Sequence, residues 1–131
     1  MRTVTLTLPE CESTNRLTRY GKGRVYKDAS ARDYLLLAKK AFMEQIKPAV
    51  RAYLPMTGEV AVAIGWHRAR KSGDLDNHGK AIIDAICMPR KAGDPCGAPI
   101  IQNDKLIVEL HMYRYESPND GYMTIEVSEV G

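Results

Sequence analysis

Apolar residues alternate with polar or small residues in four stretches of the chain, and this period of two predicts four β-strands. The first strand begins near residue 2 and looks half buried, with threonines on its second face. A Ser-Pro-Asn-Asp-Gly turn signal separates the last two strands and predicts a hairpin. The apolar faces, in chain order, are Val4, Leu6 and Leu8; Val60, Val62, Ile64 and Trp66; Leu106, Val108, Leu110 and Met112; and Met123, Ile125 and Val127.

Apolar residues recur at helical spacing in two further stretches. The first helix is predicted to begin after Ser30 as N-cap, with Asp33 completing a relative of the capping box. The second follows Asp76 or Asn77 as N-cap. The core-facing residues are predicted to be Tyr34, Leu35, Leu37, Ala38, Ala41, Phe42 and Ile46 in the first helix, and Ala81, Ile82, Ile83, Ala85 and Ile86 in the second.

The predicted order is β-α-β-α-β-β, which indicates an α+β fold with a mixed sheet and two helices packed on it. The strand at residues 60–66 is the central candidate, and its small face of Ala61, Ala63 and Gly65 is predicted to let a helix pack close. Pro89 to Pro99 is rich in proline and glycine and predicts a loop. No linker or internal repeat divides the chain, so we expect one domain over residues 1–131.

The stretch from Pro9 to Ala29 has no sustained period, and it predicts a long loop. Cations occur through it without an acid between residues 16 and 27, and two tyrosines lie among them. Cations suit phosphates and tyrosine rings suit unpaired bases, so the loop predicts a nucleic-acid surface; a solvated basic loop is the alternative. The cations concerned are Arg16, Arg19, Lys22, Arg24 and Lys27, and a second group is Arg68, Arg70 and Lys71.

Composition narrows the class of protein further. The chain has 44% hydrophobic and 27% charged residues and a net charge of +3, as expected for a globular protein, and no apolar run approaches the ~20 residues of a membrane span. The opening residues resemble a strand and not a signal peptide, so we expect a cytoplasmic protein. Three cysteines without a C-x-x-C pair argue against disulfides and against a structural zinc site.

Candidate chemistry is concentrated in the run from Ser72 to Lys80. Asp74 and Asp76 point to the same side if the backbone there is extended, and two neighbouring carboxylates favour a hard divalent cation between them. Lys80 and Asp84 follow Asp76 by four and eight residues, so all three share one side of the second helix. The alternative is a helix-capping Asp76 beside an exposed loop acid. Asp104 begins a later strand.

These motifs together resemble the RusA family of Holliday-junction resolvases. The likeness covers nearly the whole chain, including Ser13-Thr14-Asn15-Arg16, Gly21-Lys22-Gly23-Arg24, the D-L-D-N-x-x-K signature and the terminal hairpin. Two features depart from the family pattern. Asn103 stands where relatives often carry the first aspartate of a pair, and the loop from Cys87 to Ile101 is longer than usual.

The resemblance implies a homodimer that nicks four-way DNA junctions symmetrically with Mg²⁺, for which Mn²⁺ can substitute. It implies that Asp74, Asp76 and Asp104 bind the metal, that Lys80 is catalytic and that Asp84 is a further recurrent acid. DNA contacts are expected from Asn15, Arg16, Arg19, Lys22, Arg24, Arg68, Arg70 and Lys71. Three alternatives stay open: a metal-dependent nuclease acting on flaps or forks, a non-catalytic DNA-binding module, and a small-molecule phosphohydrolase.

Overall fold

The structure is a computed structural model that describes residues 2–10, 18–21, 24–27, 29–68, 75–89, 91–116 and 121–130; for residues 18–21, 24–27, 29–31, 68 and 75–78 it describes the backbone alone. The strands are β1 (Thr3–Pro9), β2 (Thr18–Gly21), β3 (Arg24–Lys27), β4 (Val60–Arg68), β5 (Ile107–Glu116) and β6 (Tyr122–Glu129). The helices are α1 (Ala29–Gln45), the short α2 (Pro48–Arg51), α3 (Leu75–Ile86) and a 3-10 turn at Asp104–Leu106.

Four of the strands form one mixed sheet in the order β1-β6-β4-β5. β6 pairs antiparallel with both β1 and β4, whereas β5 runs parallel to β4. A parallel pair needs a long crossover, and α3 with the loop that follows it supplies this connection. The predicted α+β class, with a mixed sheet and helices packed on it, is confirmed.

The hydrophobic core lies between the helices and one face of this sheet. The bulky apolar faces of β1, β4 and β6 are buried there, as predicted, because their side chains alternate with residues on the second face. The fully buried members include Leu6, Ile64, Trp66, Ile82 and Ile125. The indole N–H of Trp66 donates to Glu10 Oε2 at 3.0 Å, so its polar atom is satisfied inside the core.

None of the helices that the structure describes packs on the sheet face of Ala61, Ala63 and Gly65, so the prediction of a helix there is wrong. The helices pack instead on the Val60, Val62, Ile64 and Trp66 face of the same strand. A cavity on the small-residue face is lined only by residues of β1, β4, β5 and β6. Covering the bulky face removes more apolar area from water, which is why the helices lie there.

The stretch from Pro9 to Ala29 is not loop throughout. β2 and β3 form a two-stranded antiparallel ribbon with Gly21 opposite Arg24. The two strands are four residues each and carry charged and aromatic residues in place of an apolar alternation, so periodicity did not reveal them. The loop prediction is therefore wrong over these eight residues, whereas residues 11–17 and 22–23 lie outside the described part of the chain.

Helix α1 and strand β5 also differ in detail from the sequence pattern. α1 begins at Ala29, so Ser30 lies in its first turn and is not its N-cap. Leu37, predicted to be in the core, is 47% exposed. On β5, Val108 and Leu110 are also exposed, because β5 lies at the edge of the sheet and an extra residue opposite Val60/Ala61 shifts its register.

Candidate active site

The chain segment before Asp104 is held tightly against the end of α3. Ala98, Ile100 and Ile101 are fully buried. Their backbone is bonded to the helix terminus: the Ala98 amide donates to the Ala85 carbonyl at 2.7 Å and the Ile101 amide to the Ile86 carbonyl at 3.0 Å. These hydrogen bonds pair the buried backbone of the segment with the end of α3, and they hold Asp104 in position relative to that helix.

The same segment is pinned from its other side by Met56. The Met56 amide donates to the Ile100 carbonyl at 2.8 Å, and the Gln102 amide donates to the Met56 carbonyl at 3.0 Å. Gly97 makes this approach possible, because a Cβ there would overlap the Ala85 carbonyl oxygen. The predicted loop from Pro89 to Pro99 is therefore anchored where it leads into the site, in the part of it that the structure describes.

Asn103 has a structural role at this point. Its Oδ1 accepts the Lys105 amide N–H at 2.9 Å and caps the 3-10 turn that begins at Asp104. Asparagine and aspartate are both good caps, so the residue that departs from the family pattern still fits the local backbone. Asp104 was predicted to begin the strand, but it lies in the 3-10 turn, and β5 begins only at Ile107.

Helix α3 contributes the second wall of the site. Its apolar side, with Ile82 and Ile86, is fully buried, whereas Lys80 and Asp84 are exposed one turn apart. Gly79 is buried against Met112 of β5, whose side chain would overlap a Cβ at that position. Because Gly79 packs closely, the helix lies near β5, and this determines where Lys80 lies relative to that strand.

Lys80, Asp84 and Asp104 line one cleft of about 720 Å³, together with Arg32 from the first turns of α1. Met88, Pro89, Asp94 and Pro95 of the long loop form its rim. Two predicted catalytic residues that are 24 positions apart in the chain thus face the same space. Asp104 is half buried and Asp84 is exposed.

Cys87 lies in the same cleft and reports on its electrostatics. Burial, and then the nearby carboxylates of Asp104 and Asp84, together raise the pKa of the Cys87 thiol from 9.0 to about 12. Asp84 on α3 and Asp104 before β5 therefore both raise the pKa of the same buried thiol. A thiol with so high a pKa stays protonated at neutral pH.

The remaining predicted site residues are not tested by the structure. Asp76 lies in the first turn of α3, one turn before Lys80, but its side chain is not described, and Asp74 lies outside the described residues. Arg19, Arg24 and Arg68 lie in β2, β3 and β4 with side chains not described. Asn15, Arg16, Lys22, Arg70 and Lys71 fall outside the described ranges.

The donor set of the cleft fits a hard divalent cation. In the described part of the chain no group of three or more His, Cys, Asp or Glu side chains is placed to hold a metal ion. Asp84 and Asp104 nevertheless both line this cleft, whereas the Asn103 Oδ1 already accepts the Lys105 amide N–H. Oxygen ligands of this kind suit Mg²⁺ and Mn²⁺, and carboxylates from the Asp74 to Asp76 segment would complete such a set.

Two residues of the cleft were not among the predicted catalytic and DNA-binding residues. Asp84 had a signal, since its spacing of eight from Asp76 places it on the same side of α3. Arg32 had none, because only the packing of α1 beside α3 brings it across from Lys80. Its guanidinium adds a second cation to a cleft that would receive phosphate.

Comparison with known families agrees with this geometry. The sequence model of the family described as Endodeoxyribonuclease RusA matches residues 8–128, which includes both walls of the cleft, the β2–β3 ribbon, β4, β5 and all but the last residue of β6, but only the end of β1. No curated protein gives a significant match. In the described part of the chain no helix is long and apolar enough to cross a membrane. The chain therefore belongs to the RusA family of endodeoxyribonucleases.

Proposed function

We propose that this protein resolves Holliday junctions by metal-dependent hydrolysis of one phosphodiester in each of two symmetric strands. The observation that carries the proposal is the cleft in which Lys80, Asp84 and Asp104 meet, within a chain that belongs to an endodeoxyribonuclease family. An acidic cleft beside cations is suited to phosphodiester hydrolysis, because the acids bind cations that neutralise phosphate and the lysine meets charge that develops on it.

Asp74, Asp76 and Asp104 are the proposed ligands of Mg²⁺, with Mn²⁺ as a substitute. When bound, the ion lowers the pKa of a coordinated water and neutralises charge on the scissile phosphate. The residues of the chain then have distinct tasks. The hydrogen bonds around Ile100 and Ile101 hold Asp104 in place, the first turns of α3 carry Asp76, and the exposed Asp84 adds negative charge that favours cation binding.

Lys80 is proposed to donate to the phosphate oxygen on which negative charge increases in the transition state. An ammonium is a compact point charge that suits this position, and removing one such donor typically slows a reaction about a hundredfold to a thousandfold. A merely structural Lys80 would pair with Asp76 or Asp84 along the helix for only about 0.3 to 0.5 kcal/mol. These magnitudes are far enough apart for mutation to distinguish the two roles.

DNA is proposed to bind through the basic residues of the β2–β3 ribbon and the segment after β4. Arg19 and Arg24 are carried on the two strands of the ribbon, and the register of β2 with β3 sets Gly21 opposite Arg24. A cationic ribbon can follow a phosphate backbone, and the affinity of such contacts falls steeply with salt. Asn15, Arg16, Lys22, Arg68, Arg70 and Lys71 are the other proposed contacts.

A homodimer is proposed because a four-way junction offers two symmetry-related strands, and a two-fold dimer presents two equivalent sites to them. Support comes from β5, an edge strand of ten residues on which Val108 and Leu110 are exposed. A long edge strand with exposed apolar residues is typical of a surface that another chain covers. Light scattering at micromolar concentration is expected to give the mass of two chains.

The decisive experiment compares wild type with Asp76→Asn on a labelled four-way junction in Mg²⁺. Wild type is expected to give paired nicks at symmetric positions. Asp76→Asn is expected to give no detectable cleavage, because a metal ligand is lost, and to bind the junction at least as tightly, because repulsion between carboxylate and phosphate falls. Asp33→Asn, which changes an exposed acid on α1 outside the cleft, is the matched control and should cleave normally.

Cleavage by Asp76→Asn at the wild-type rate would refute the metal-site assignment. Flap and fork substrates run beside the junction separate a resolvase from a nuclease of wider range, since a resolvase cuts the four-way junction far faster. Junction binding without cleavage by wild type in either Mg²⁺ or Mn²⁺ would instead indicate a non-catalytic DNA-binding module.

A further inference from the structure

The sheet has a second face that the helices do not cover, and its lining differs from that of the catalytic cleft. We call the open face the residues of β1, β4, β5 and β6 that point away from the core. Cross-strand registers place them in rows across the sheet. One row is Tyr122, His67 and Tyr115, and the next is Thr124, Gly65 and Tyr113.

In the first row three rings form a continuous stack. The His67 ring lies 4.2 Å from that of Tyr122 with an interplanar angle of 7°, and 4.7 Å from that of Tyr115 with an angle of 20°. The imidazole therefore fills the space above β4 between two tyrosines. Rings on neighbouring strands stand at the strand spacing, so a ring is the natural occupant of such a space.

In the second row no ring lies above β4 because the residue is Gly65, and the Thr124 hydroxyl leans over it, where a Cβ would overlap Thr124 Oγ1. Tyr113 stands on one side of it, with its ring 6.4 Å from that of Tyr115, and Thr124 stands on the other. The result is a cavity of about 230 Å³ that also reaches Ala63, Thr5 and Glu126. Tyr113 is 48% exposed, so a flat molecule can reach its ring.

We propose that this cavity, the Gly65 slot, binds one unpaired nucleobase of the branched DNA, stacked on Tyr113. This inference rests on the proposed function. Stacking on an aromatic side chain is the usual way a protein holds an unpaired base, and in the neighbouring row His67 already stacks on Tyr115 of the same strand as Tyr113. The exposed Glu126 carboxylate accepts hydrogen bonds only, so it favours a base edge that carries N–H donors.

Charge and position distinguish a base from a phosphate as the occupant. Glu109 and Glu126 belong to the open face and repel a phosphate, whereas a neutral base is not repelled. Arg68, Arg70 and Lys71 follow His67 directly in the sequence, so cations for the flanking phosphates are near in the chain. Asp74 is seven residues from His67, a reach of at most about 25 Å, which a strand leading from the slot to the cleavage site could span.

The test uses a short thymidine strand with one central 2-aminopurine, whose fluorescence is quenched on stacking, with the full chain in EDTA. Wild type is expected to quench it. Tyr113→Ala should abolish the quenching and weaken binding about tenfold, whereas Tyr113→Phe, which keeps the ring, should behave as wild type. Val130→Ala is the matched control, since Val130 is similarly exposed but lies outside the slot.

Quenching by Tyr113→Ala equal to that of wild type would overturn the base site. So would a fall in the sedimentation mass of Tyr113→Ala, which would make the open face a contact between two copies of the chain. Junction cleavage in Mg²⁺ is measured in parallel. If wild type cleaves the junction but does not quench 2-aminopurine, the base site is refuted and the nuclease function is not. If wild type quenches 2-aminopurine but does not cleave the junction, the nuclease function is refuted and the base site is not.

Discussion

The two faces of β4 differ sharply although the same nine residues form both. Val60, Val62, Ile64 and Trp66 face the helices and are buried to 1% exposure or less. Ala61, Ala63, Gly65 and His67 face the other way, where the lining of the cavity comes from strands alone. The contrast teaches that side-chain size decided the position of the helices. Only the bulky face offers enough apolar area for its burial to offset the conformational entropy that is lost when the helices are ordered. The small face carries the cavity of the proposed Gly65 slot.

The largest effect on stability is expected when this contrast is tested within β4 itself. Ile64→Ala removes a fully buried side chain and should lower the free energy of unfolding by about 2 to 5 kcal/mol. His67→Ala removes a ring from the open stack and should cost about 0.5 to 1.5 kcal/mol. Urea unfolding of both variants measures the difference. Equal losses would mean that the open face is as important to the core as the covered one.

A smaller effect is expected at Gln45, where α1 reaches around to the edge of the sheet. The Thr7 amide donates to Gln45 Oε1 and the Gln45 Nε2 donates to the Thr7 carbonyl, both at 2.8 Å. These two hydrogen bonds satisfy the backbone amide and carbonyl of Thr7 on the edge strand β1, and they connect that strand to α1. Gln45→Ala should therefore cost about 1 kcal/mol in urea unfolding.

The neighbouring Glu44→Ala is the control for Gln45→Ala, since Glu44 is exposed on the same helix and is not bonded to the sheet by any described contact. It should change stability by less than about 0.5 kcal/mol. If the two variants lost the same amount, the hydrogen bonds to Thr7 would not contribute, and the β1 edge would be held by packing alone.

Much of the fold followed from local sequence. The alternation in Val4-Leu6-Leu8 and in Val60 to Trp66 predicted strands whose inward faces are buried as expected, and the apolar side of α3 was equally clear. These elements agree because local pattern and burial there have the same cause. The D-L-D-N-x-x-K run also pointed to Lys80 before the cleft was known.

What could not be predicted depended on contacts between distant segments. Val108 and Leu110 have the pattern of an inner strand, and only the strand order reveals that β5 is an edge. Leu37 matches the period of α1 but faces outward, because the sheet covers a narrower side of that helix than the pattern suggested. Arg32 enters the cleft only through the packing of α1 beside α3, which no spacing in the sequence encodes.

The last test concerns the covered side of the sheet and uses the pH dependence of stability that Cys87 causes. Its pKa in the folded protein is raised to about 12 by burial and then by Asp104 and Asp84, against 9.0 for an ordinary thiol. The folded state therefore keeps its proton at pH values where the unfolded chain loses it. The stabilisation is complete below pH 9 and is lost progressively as pH rises from 9 toward 12.

The expected observation is that the urea midpoint of wild type falls more steeply between pH 9 and 10.5 than that of Cys87→Ala, in EDTA. Lysine and tyrosine titrations are common to both proteins and cancel in the difference, so the extra slope belongs to the thiol. The extra loss should grow steadily across this range, because pH 9 to 10.5 lies within the interval from 9 to 12 in which only the unfolded chain loses the proton. Parallel curves would show that water reaches the Cys87 sulfur, and that the wall between α3 and Asp104 is less closed than its hydrogen bonds indicate.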